Sequence, residues 1–224
     1  EGLTQGQPLT THRAYALHPR FSRDGSALAY AANDQRRAAR VRVIEAATGR
    51  ELWTRRQNDL SAVSWLADGS LLTSDLEFTD RFRIHSDLHH LGPGGSGRLT
   101  RGARLQDPDV DRDDRRIVAV ENSAGTNRLV VIDRATGATR ALTGFDEHVH
   151  WAAPRFSPDG SRIAAGRWAG GRFDVVVLDT TGTIVIQVTD EPGISTAPAW
   201  SHDGHWLLFW SDRTGIPNIY AAEI

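Results

Sequence analysis

The segment Glu147-His148-Val149-His150 contains the residues best suited to metal chemistry. Side chains two residues apart on an extended chain point to the same side, so His148 and His150 could share an ion. Glu147 could add a carboxylate, but the sequence identifies no further ligand elsewhere. Pairs of histidines also arise by chance in a chain that has 9 of them. We therefore expect no metal and no cofactor, with Glu147, His148 and His150 as the alternative.

Arginine and tryptophan side chains outside the regular pattern are suited to recognising a partner. Arginine makes bidentate contacts with carboxylates and phosphates, and tryptophan supplies a large, rigid apolar surface. Trp151 and Trp168 have no counterparts elsewhere in the chain, and we expect both to lie in loops. The candidate binding residues are Arg81, His85, His148, His150, Trp151, Arg167, Trp168 and Arg213. The alternative is that these are ordinary packed or solvated residues.

The composition argues against catalysis. The chain has 224 residues and no Cys, Met or Lys, so all 26 basic residues are arginine. Without these side chains there is no disulfide, thiol nucleophile, thiolate metal site, Schiff-base lysine or P-loop. The Gly-x-Ser-x-Gly motif of serine hydrolases is also absent. We expect that the chain is not an enzyme.

The charge and the apolar runs restrict the partners. A formal net charge of −2 argues against a nucleic-acid-binding surface. The longest apolar stretches are far too short to cross a bilayer, so we expect no membrane insertion. A protein or peptide is therefore the expected partner, and we expect the chain to be a monomer.

Five copies of a short motif repeat along the chain, each with a tight turn between two apolar runs. The turn positions of the five copies are Gly25, Gly69, Asp114, Gly160 and Gly204. Their spacings are 44, 45, 46 and 44 residues. Asp-Gly between apolar runs predicts a β-hairpin, because such turns need a positive φ. Asp114 replaces the glycine in the third copy and should adopt a positive φ at some cost in strain.

Each repeat has room for four short strands, which predicts the blade of a β-propeller. The predicted fold is an all-β propeller of five four-stranded blades of about 45 residues, in a single domain over residues 1–224. Trp65 and Trp200 end the first strand of their repeats, at the position of Phe21 and Phe156. This recurrence in register predicts that these aromatic residues pack between blades.

The two ends of the chain are expected to complete the ring. The last repeat ends after its third strand, and residues 1–10 resemble a fourth strand without a blade. The distance from Gly204 to Ile224 and on from Glu1 to Gly25 is 45 residues, the same as the internal period. We expect residues 5–10 to pair with residues 218–223, which removes the open edge of the last sheet. The alternative is an arc of a longer propeller.

The two faces of such a disc carry different loops. The Asp-Gly and Thr-Gly turns share one face, which we call the turn face. The connections between second and third strands, and between blades, share the opposite face, which we call the loop face. Its loops are longer and more varied, and recognition usually occurs in such loops. We therefore expect binding on the loop face.

The FSPDG motif at residues 156–160, and the run SDRTG at residues 211–215 before Asn218-Ile219-Tyr220, resemble the repeat of TolB-like propellers. The Gly-His and Trp-Asp pattern of WD40-like propellers is missing. The resemblance extends over the whole chain and implies a bacterial protein with a periplasmic or other extracytoplasmic location. Similar repeats also precede the catalytic domain of prolyl-oligopeptidase-type serine peptidases.

Three functions are compatible with these features. The first is a non-catalytic scaffold that binds a protein, a peptide or a cell-envelope component through the loop face. The second is a propeller that controls the access of substrates to a prolyl-oligopeptidase-type catalytic domain, which this sequence does not contain. The third is a metal-dependent enzyme built on residues 147–150. A peptidase domain joined to this chain would favour the second function over the first.

Overall fold

The structure is a computed structural model that describes residues 9–10, 15–33 and 38–224. These residues form strands, turns and loops, and no helix occurs among them. The strands make five antiparallel sheets, in which neighbouring strands of a sheet are also neighbours in the chain. Each sheet is one blade, so the predicted all-β propeller of five blades is confirmed.

The five blades follow one another along the chain. Blade 1 contains β1 (Tyr15–Phe21), β2 (Ala27–Asn33), β3 (Arg40–Glu45) and β4 (Glu51–Arg56). Blade 2 contains β5 (Val63–Trp65), β6 (Leu71–Phe78), β7 (Ile84–Gly92) and β8 (Gly95–Arg98). Blade 3 contains β9 (Leu105–Val110), β10 (Arg116–Ser123), β11 (Thr126–Asp133) and β12 (Thr139–Ala141). Blade 4 contains β13 (His150–Phe156), β14 (Arg162–Ala169), β15 (Arg172–Asp179) and β16 (Ile184–Gln187). Blade 5 contains β17 (Ser195–Trp200), β18 (Trp206–Ser211) and β19 (Asn218–Glu223) in the described residues.

Tight turns at the repeat positions join the first two strands of each blade. The four glycines at these positions have φ between 70° and 78°. Asp114 has a φ of 56°, as predicted for a residue that replaces glycine there. Its carboxylate pairs with Arg23 of blade 1 and accepts a hydrogen bond from the Ala67 N–H of blade 2 at 2.6 Å. These contacts between blades offset the strain of the left-handed conformation.

The two kinds of tight turn lie together, as predicted for the turn face. In blade 1 the Ala46 N–H donates a hydrogen bond to the Ser26 carbonyl at 2.8 Å. In blade 3 the Arg134 N–H donates to the Arg115 carbonyl at 2.9 Å. Each bond joins the β3–β4 type of turn to the β1–β2 type of turn in the same blade.

Apolar side chains between successive blades form the core. Side chains alternate between the two faces of a strand, so a blade with a neighbour on each side contributes to two interfaces. Between blades 3 and 4, for example, Val118 and Leu129 pack with Phe156 and Ile163. The stack of blades is therefore held together by several separate interfaces.

Two of the recurrent tryptophans also bond to the preceding blade. The indole N–H of Trp65 donates to the Arg20 carbonyl at 2.9 Å, and that of Trp200 donates to the Arg155 carbonyl at 3.1 Å. Trp65 is buried, and Trp200 is partly buried against the cluster between blades 4 and 5. The prediction that these aromatic residues pack between blades is confirmed for both.

On the outer sides of the first and last blades some side chains are exposed, although Leu28, Tyr30 and Ile44 of blade 1 form a buried cluster. On β18, Leu207 packs on blade 4, whereas Leu208 points the opposite way and is 39% exposed. Phe21 is exposed, although its counterparts Trp65 and Phe156 are buried. Within the described residues, no strand of blade 5 packs extensively on a strand of blade 1.

The predicted pairing of residues 5–10 with β19 falls mostly outside the described residues. Leu9 is described, and its carbonyl lies against Gly49 in the β3–β4 turn. The Leu142 carbonyl lies in the same way against Gly182 in the β15–β16 turn. Because Leu142 directly follows the fourth strand of blade 3, Leu9 occupies the position where the fourth strand of an adjoining blade would end. The pairing with β19 itself stays a prediction.

No helix in the described part of the chain has the length and apolar character that a membrane span requires.

Candidate functional site

The β6–β7 hairpin carries an apolar tip on the loop face. The two strands pair in register from Leu71 with Leu91 to Phe78 with Ile84. At the tip, Phe82 is 93% exposed, Phe78 is 69% exposed, and Ile84 is also exposed. Three large apolar side chains clustered in solvent are typical of an interaction site rather than of a solvated loop.

Hydrogen bonds define the conformation of this tip. The Asp80 carboxylate accepts hydrogen bonds from the N–H groups of Phe82 and Arg83, at 2.8 and 2.9 Å. The Thr79 N–H donates to the Arg83 carbonyl at 2.9 Å. A preformed turn loses less conformational entropy on binding than a flexible loop does. The tip is therefore suited to present its apolar side chains to a partner.

Two of the predicted binding residues belong to this hairpin. Arg81 is exposed at the tip, and its guanidinium has no hydrogen bond or ion pair within the described residues. His85 is half-buried on β7, and its Nδ1 has no hydrogen-bond partner in the described structure. Arg83 adds a second exposed guanidinium 3.7 Å from Asp80. The tip thus combines apolar and cationic groups.

Trp151 does not lie in a loop, which corrects the expectation from the sequence. It lies on β13, where it pairs with Arg167 of β14, and it is 6% exposed in the core between blades 3 and 4. Its N–H and its carbonyl both bond to the Asn127 side chain, at 2.7 and 3.0 Å. β13 begins earlier than expected because His150 and Trp151 already pair with Trp168 and Arg167 of β14. Trp151 therefore stabilises the fold and offers little surface to a ligand.

Trp168 was also expected in a loop and instead lies on β14, half-buried. Its ring meets the ring of His150 edge to face, with 5.5 Å between the centroids. Arg167, its neighbour on β14, is half-buried as well. Arg81, Arg167 and Arg213 lie on three different blades, and no hydrogen bond or ion pair joins them among the residues described. The predicted binding residues are therefore spread over the loop face.

The segment considered for metal binding is not assembled as a metal site. Glu147 and His148 are exposed, with His148 Nε2 3.6 Å from Glu147 Oε1, whereas His150 packs on Trp168. In the part of the chain that the structure describes, no three His, Asp or Glu side chains are placed to hold a metal ion together.

Arg213 is engaged within its own blade. Its guanidinium pairs with Glu191 at 2.6 Å and lies over the rings of Tyr220 and Phe209, at 4.4 and 5.3 Å from their centroids. These contacts fasten the β18–β19 loop to blade 5. A partner would have to displace Glu191 to form a bidentate contact with Arg213.

Several cavities open on the turn face, where the sequence predicted little recognition. One of about 650 Å³ lies between blades 2 and 3 and is lined by Leu88, Leu99 and Ile117 among others. Two more, of about 390 and 580 Å³, adjoin each other at Pro158 and His202. The turn face is therefore concave, whereas the loop face carries the projecting tip.

A smaller cavity of about 220 Å³ lies where the innermost strands converge. Arg20, Asp109 and Arg155 line it, with Pro158 and His202 at its mouth on the turn face. Desolvation lowers the pKa of Arg20, and the Asp109 carboxylate partly opposes this effect. Burial raises the pKa of Asp109, and the Arg20 guanidinium partly opposes that shift. The charges of Arg20 and Asp109 therefore interact through space.

A repeated backbone feature positions the residues that line this cavity, which we call the channel. In four of the innermost strands, a residue with positive φ precedes a proline and interrupts the strand pairing. These residues are His18, Asp107, Ala153 and Ala197, with φ of 55°, 52°, 47° and 54°. Bulges of this kind redirect the side chains beside them. The side chain two residues later is Arg20, Asp109, Arg155 or Ala199 in the respective strands.

Neither the apolar tip nor the channel was predicted from the sequence. The sequence signal for the channel was a proline at the same place in the first strand of four repeats, namely Pro19, Pro108, Pro154 and Pro198. The signal for the tip was the pair Phe78 and Phe82 around Arg81 in a loop between two strands.

Comparisons with known proteins agree with this architecture. Residues 97–224, more than half of the chain, match the TolB beta propeller domain family. The chain is also similar to the Tol-Pal system protein TolB of Helicobacter pylori (strain ATCC 700392 / 26695), with 35% identity over 68 residues. This alignment covers 30% of the chain but only 16% of the Helicobacter pylori protein.

Solved structures share the fold over nearly the whole chain. TolB from Acinetobacter baumannii superimposes with a TM-score of 0.74 at 18% identity, over 96% of this chain and 53% of that one. The β-propeller domain of the Trilobed protease from Pyrococcus furiosus superimposes with a TM-score of 0.67 at 11% identity, over 92% of this chain and 64% of that one. With its repeats, its blades and the match over residues 97–224, the chain belongs to the TolB beta propeller domain family.

Proposed function

We propose that this chain is a non-catalytic propeller that binds a protein or peptide through its loop face, with the β6–β7 tip as the central contact. The observation that carries the proposal is the exposed cluster of Phe78, Phe82 and Ile84 on a hydrogen-bonded turn. Large apolar anchors surrounded by polar groups are typical of the centres of protein interfaces.

The charges beside the tip indicate the chemistry of the partner. Arg81 and Arg83 are exposed next to the apolar side chains. Arginines at the rim of an interface attract acidic groups and speed association. The surface is therefore best complemented by an apolar segment that is flanked by Asp or Glu residues.

The family supports a role in the cell envelope. The relative from Helicobacter pylori is named as a protein of the Tol-Pal system. By analogy we place this chain in an extracytoplasmic compartment, with an envelope protein or peptide as its partner. Because the alignment covers 16% of that relative, the identity of the partner is not carried over with it.

A second candidate is a propeller that controls the access of substrates to a peptidase domain. Its support is the fold shared with the propeller of the Pyrococcus furiosus protease. In that case the apolar tip would contact the peptidase domain of the same protein. The two candidates therefore differ in whether the tip binds a separate protein.

Photo-crosslinking at the tip distinguishes these candidates. A photoreactive amino acid replaces Phe82 in one variant and Arg50, which is exposed in the β3–β4 turn on the turn face, in another. The binding proposal expects a discrete crosslinked envelope protein from the Phe82 position and none from Arg50. Crosslinks within a larger protein that contains this chain would instead support the peptidase candidate.

Matched variants then measure the contribution of the tip. The double change Phe78→Ser and Phe82→Ser is expected to weaken binding of the crosslinked partner by about 2 kcal/mol or more. Arg50→Gln is expected to leave binding unchanged. Both variants alter exposed residues, so thermal melting should be unaffected. Full affinity in the double variant would rule out the tip as the central contact.

A further inference from the structure

We propose that the cavity at the centre of the propeller binds a carboxylate, which reaches Arg20 and Arg155 from the turn face. This site is separate from the β6–β7 tip and does not depend on the function proposed for the loop face.

The two arginines have hydrogen-bond donors without acceptors. Arg155 is 5% exposed, its Nη1 donates to the Pro154 carbonyl at 2.6 Å, and its Nε has no partner in the described structure. Arg20 lines the same cavity, and its guanidinium has no hydrogen bond or ion pair with any described residue. Buried polar groups in proteins almost always have a partner, so the Arg155 Nε–H points to a missing acceptor, and the half-buried Arg20 guanidinium adds further free donors beside it.

The acidic groups nearby do not fill this role. The two oxygens of Asp109 accept hydrogen bonds from the Ser64 hydroxyl and the Phe156 N–H, both at 2.9 Å. One oxygen of Asp107 accepts a hydrogen bond from the Ala153 N–H at 3.2 Å. Neither carboxylate forms an ion pair with Arg20 or Arg155 within the described residues. Asp107 and Asp109 stabilise the positive charge of the Arg20 guanidinium through space, and they leave the free N–H donors of Arg20 and Arg155 available.

The size of the cavity favours a small ligand, and its charged groups favour a carboxylate over other anions. Its volume of about 220 Å³ lies below the roughly 300–1,000 Å³ of sites for drug-sized ligands. Guanidinium groups match the planar, bidentate geometry of a carboxylate. The carboxylates of Asp107 and Asp109 repel anions, and they repel a doubly charged phosphate more strongly than a singly charged carboxylate.

The surroundings of the cavity allow the carboxylate to belong to a peptide. The cavity shares Phe156, Pro158 and His202 with the adjoining cavity of about 390 Å³ on the turn face. Residues next to the carboxylate could lie there. The carboxylate could come from the C-terminus of a chain or from an Asp or Glu side chain.

Titration of the full chain with sodium acetate tests the site, with sodium chloride at equal ionic strength as the reference. The arginine Nε–H resonances are followed by NMR and are assigned with Arg20→Gln and Arg155→Gln. We expect a saturable acetate-specific shift of the Arg155 resonance. Arg20→Gln should weaken acetate binding roughly tenfold or more, because charge-assisted hydrogen bonds are lost. Arg101→Gln, at an exposed arginine between β8 and β9 that lines none of the cavities described above, should leave it unchanged.

A further variant keeps the test decisive if Arg155→Gln does not fold. Arg20→Lys retains the charge but loses the bidentate geometry, so it should bind acetate more weakly than the unmodified chain. An acetate response equal to that of chloride, or an unchanged affinity in both Arg20 variants, would overturn the proposal.

Paired peptides identify the source of the carboxylate. One pair differs only in a free or amidated C-terminus, and the other is amidated and differs only in an internal Glu or Gln. Tighter binding of the free acid assigns the site to a chain terminus, and tighter binding of the Glu peptide assigns it to an acidic side chain. If acetate binds and neither peptide exceeds its neutral twin, the site accepts small carboxylates only.

Discussion

Gly182 lies in the β15–β16 turn with a φ of 99°, where the Leu142 carbonyl occupies the space that a Cβ would need. Gly137 lies in the corresponding turn of blade 3 with a φ of 73° and open space around it. We expect Gly182→Ala to destabilise the fold by about 2–4 kcal/mol, since overpacking adds to the left-handed conformation. Gly137→Ala should cost only about 1 kcal/mol. Chemical denaturation measures both, and equal losses would show that the Leu142 contact relaxes easily.

The two tryptophans of blade 4 provide a second comparison between residues. Trp151 is buried in the core, whereas Trp168 is half-buried against the ring of His150. Trp151→Ala should cost about 3–5 kcal/mol in the free energy of unfolding. Trp168→Ala should cost about 1 kcal/mol, the value of a lost ring contact with modest burial. Equal losses in the free energy of unfolding for the two variants, measured by chemical denaturation, would contradict the assignment of Trp151 to the core.

At the scale of one strand, the side chains of β18 show that the two sides of blade 5 differ in burial. Leu207 is 0% exposed, while the adjacent Leu208 lies on the outer side with Trp206. Leu207→Ala should cost about 2–5 kcal/mol, as for other buried leucines. Leu208→Ala should change the free energy of unfolding by about 0.5 kcal/mol or less. If Leu208→Ala is as destabilising as Leu207→Ala, the outer side of blade 5 is covered in solution.

The innermost strands show how one local motif serves several blades. A residue with positive φ before proline interrupts the pairing of β1, β9, β13 and β17. The motif is present in four of the five innermost strands and is absent from β5 of blade 2. The residues that follow are free to differ, and three of them are Arg20, Asp109 and Arg155. The shared backbone geometry therefore places different side chains at the same position around the channel.

For the whole molecule, the predicted closure of the ring at β19 can be tested by deletion. In the described residues β19 is the outermost strand of its sheet and pairs only with β18. Deleting residues 1–10 is expected to lower the melting temperature and promote aggregation, because an unpaired strand edge would be left in solvent. Deleting residues 1–4, which precede the predicted strand, should change neither property. Size-exclusion chromatography and thermal melting compare the two chains, and a monomeric 1–10 deletion with unchanged melting would count against closure.

The candidate site was only partly predictable from the residues. Arg81 and His85 were assigned to the loop between β6 and β7, and the structure places Arg81 at its exposed tip. The exposure of Phe78 and Phe82 was not predicted, because an aromatic residue near a strand end is equally compatible with packing. Trp151 was assigned to a loop because its burial depends on contacts with blade 3, which lie far away in the sequence.

The sequence by itself determined the number of blades, the position of the tight turns and the positive φ of Asp114. These features follow from turn chemistry and apolar alternation, which act over a few residues and recur with the blade period. Only the tertiary structure decided that Arg20, Asp109 and Arg155 share one cavity and that Phe82 lies in solvent. The physical reason is that burial and charge proximity depend on how separate blades pack, and residues about 45 positions apart meet only after that packing.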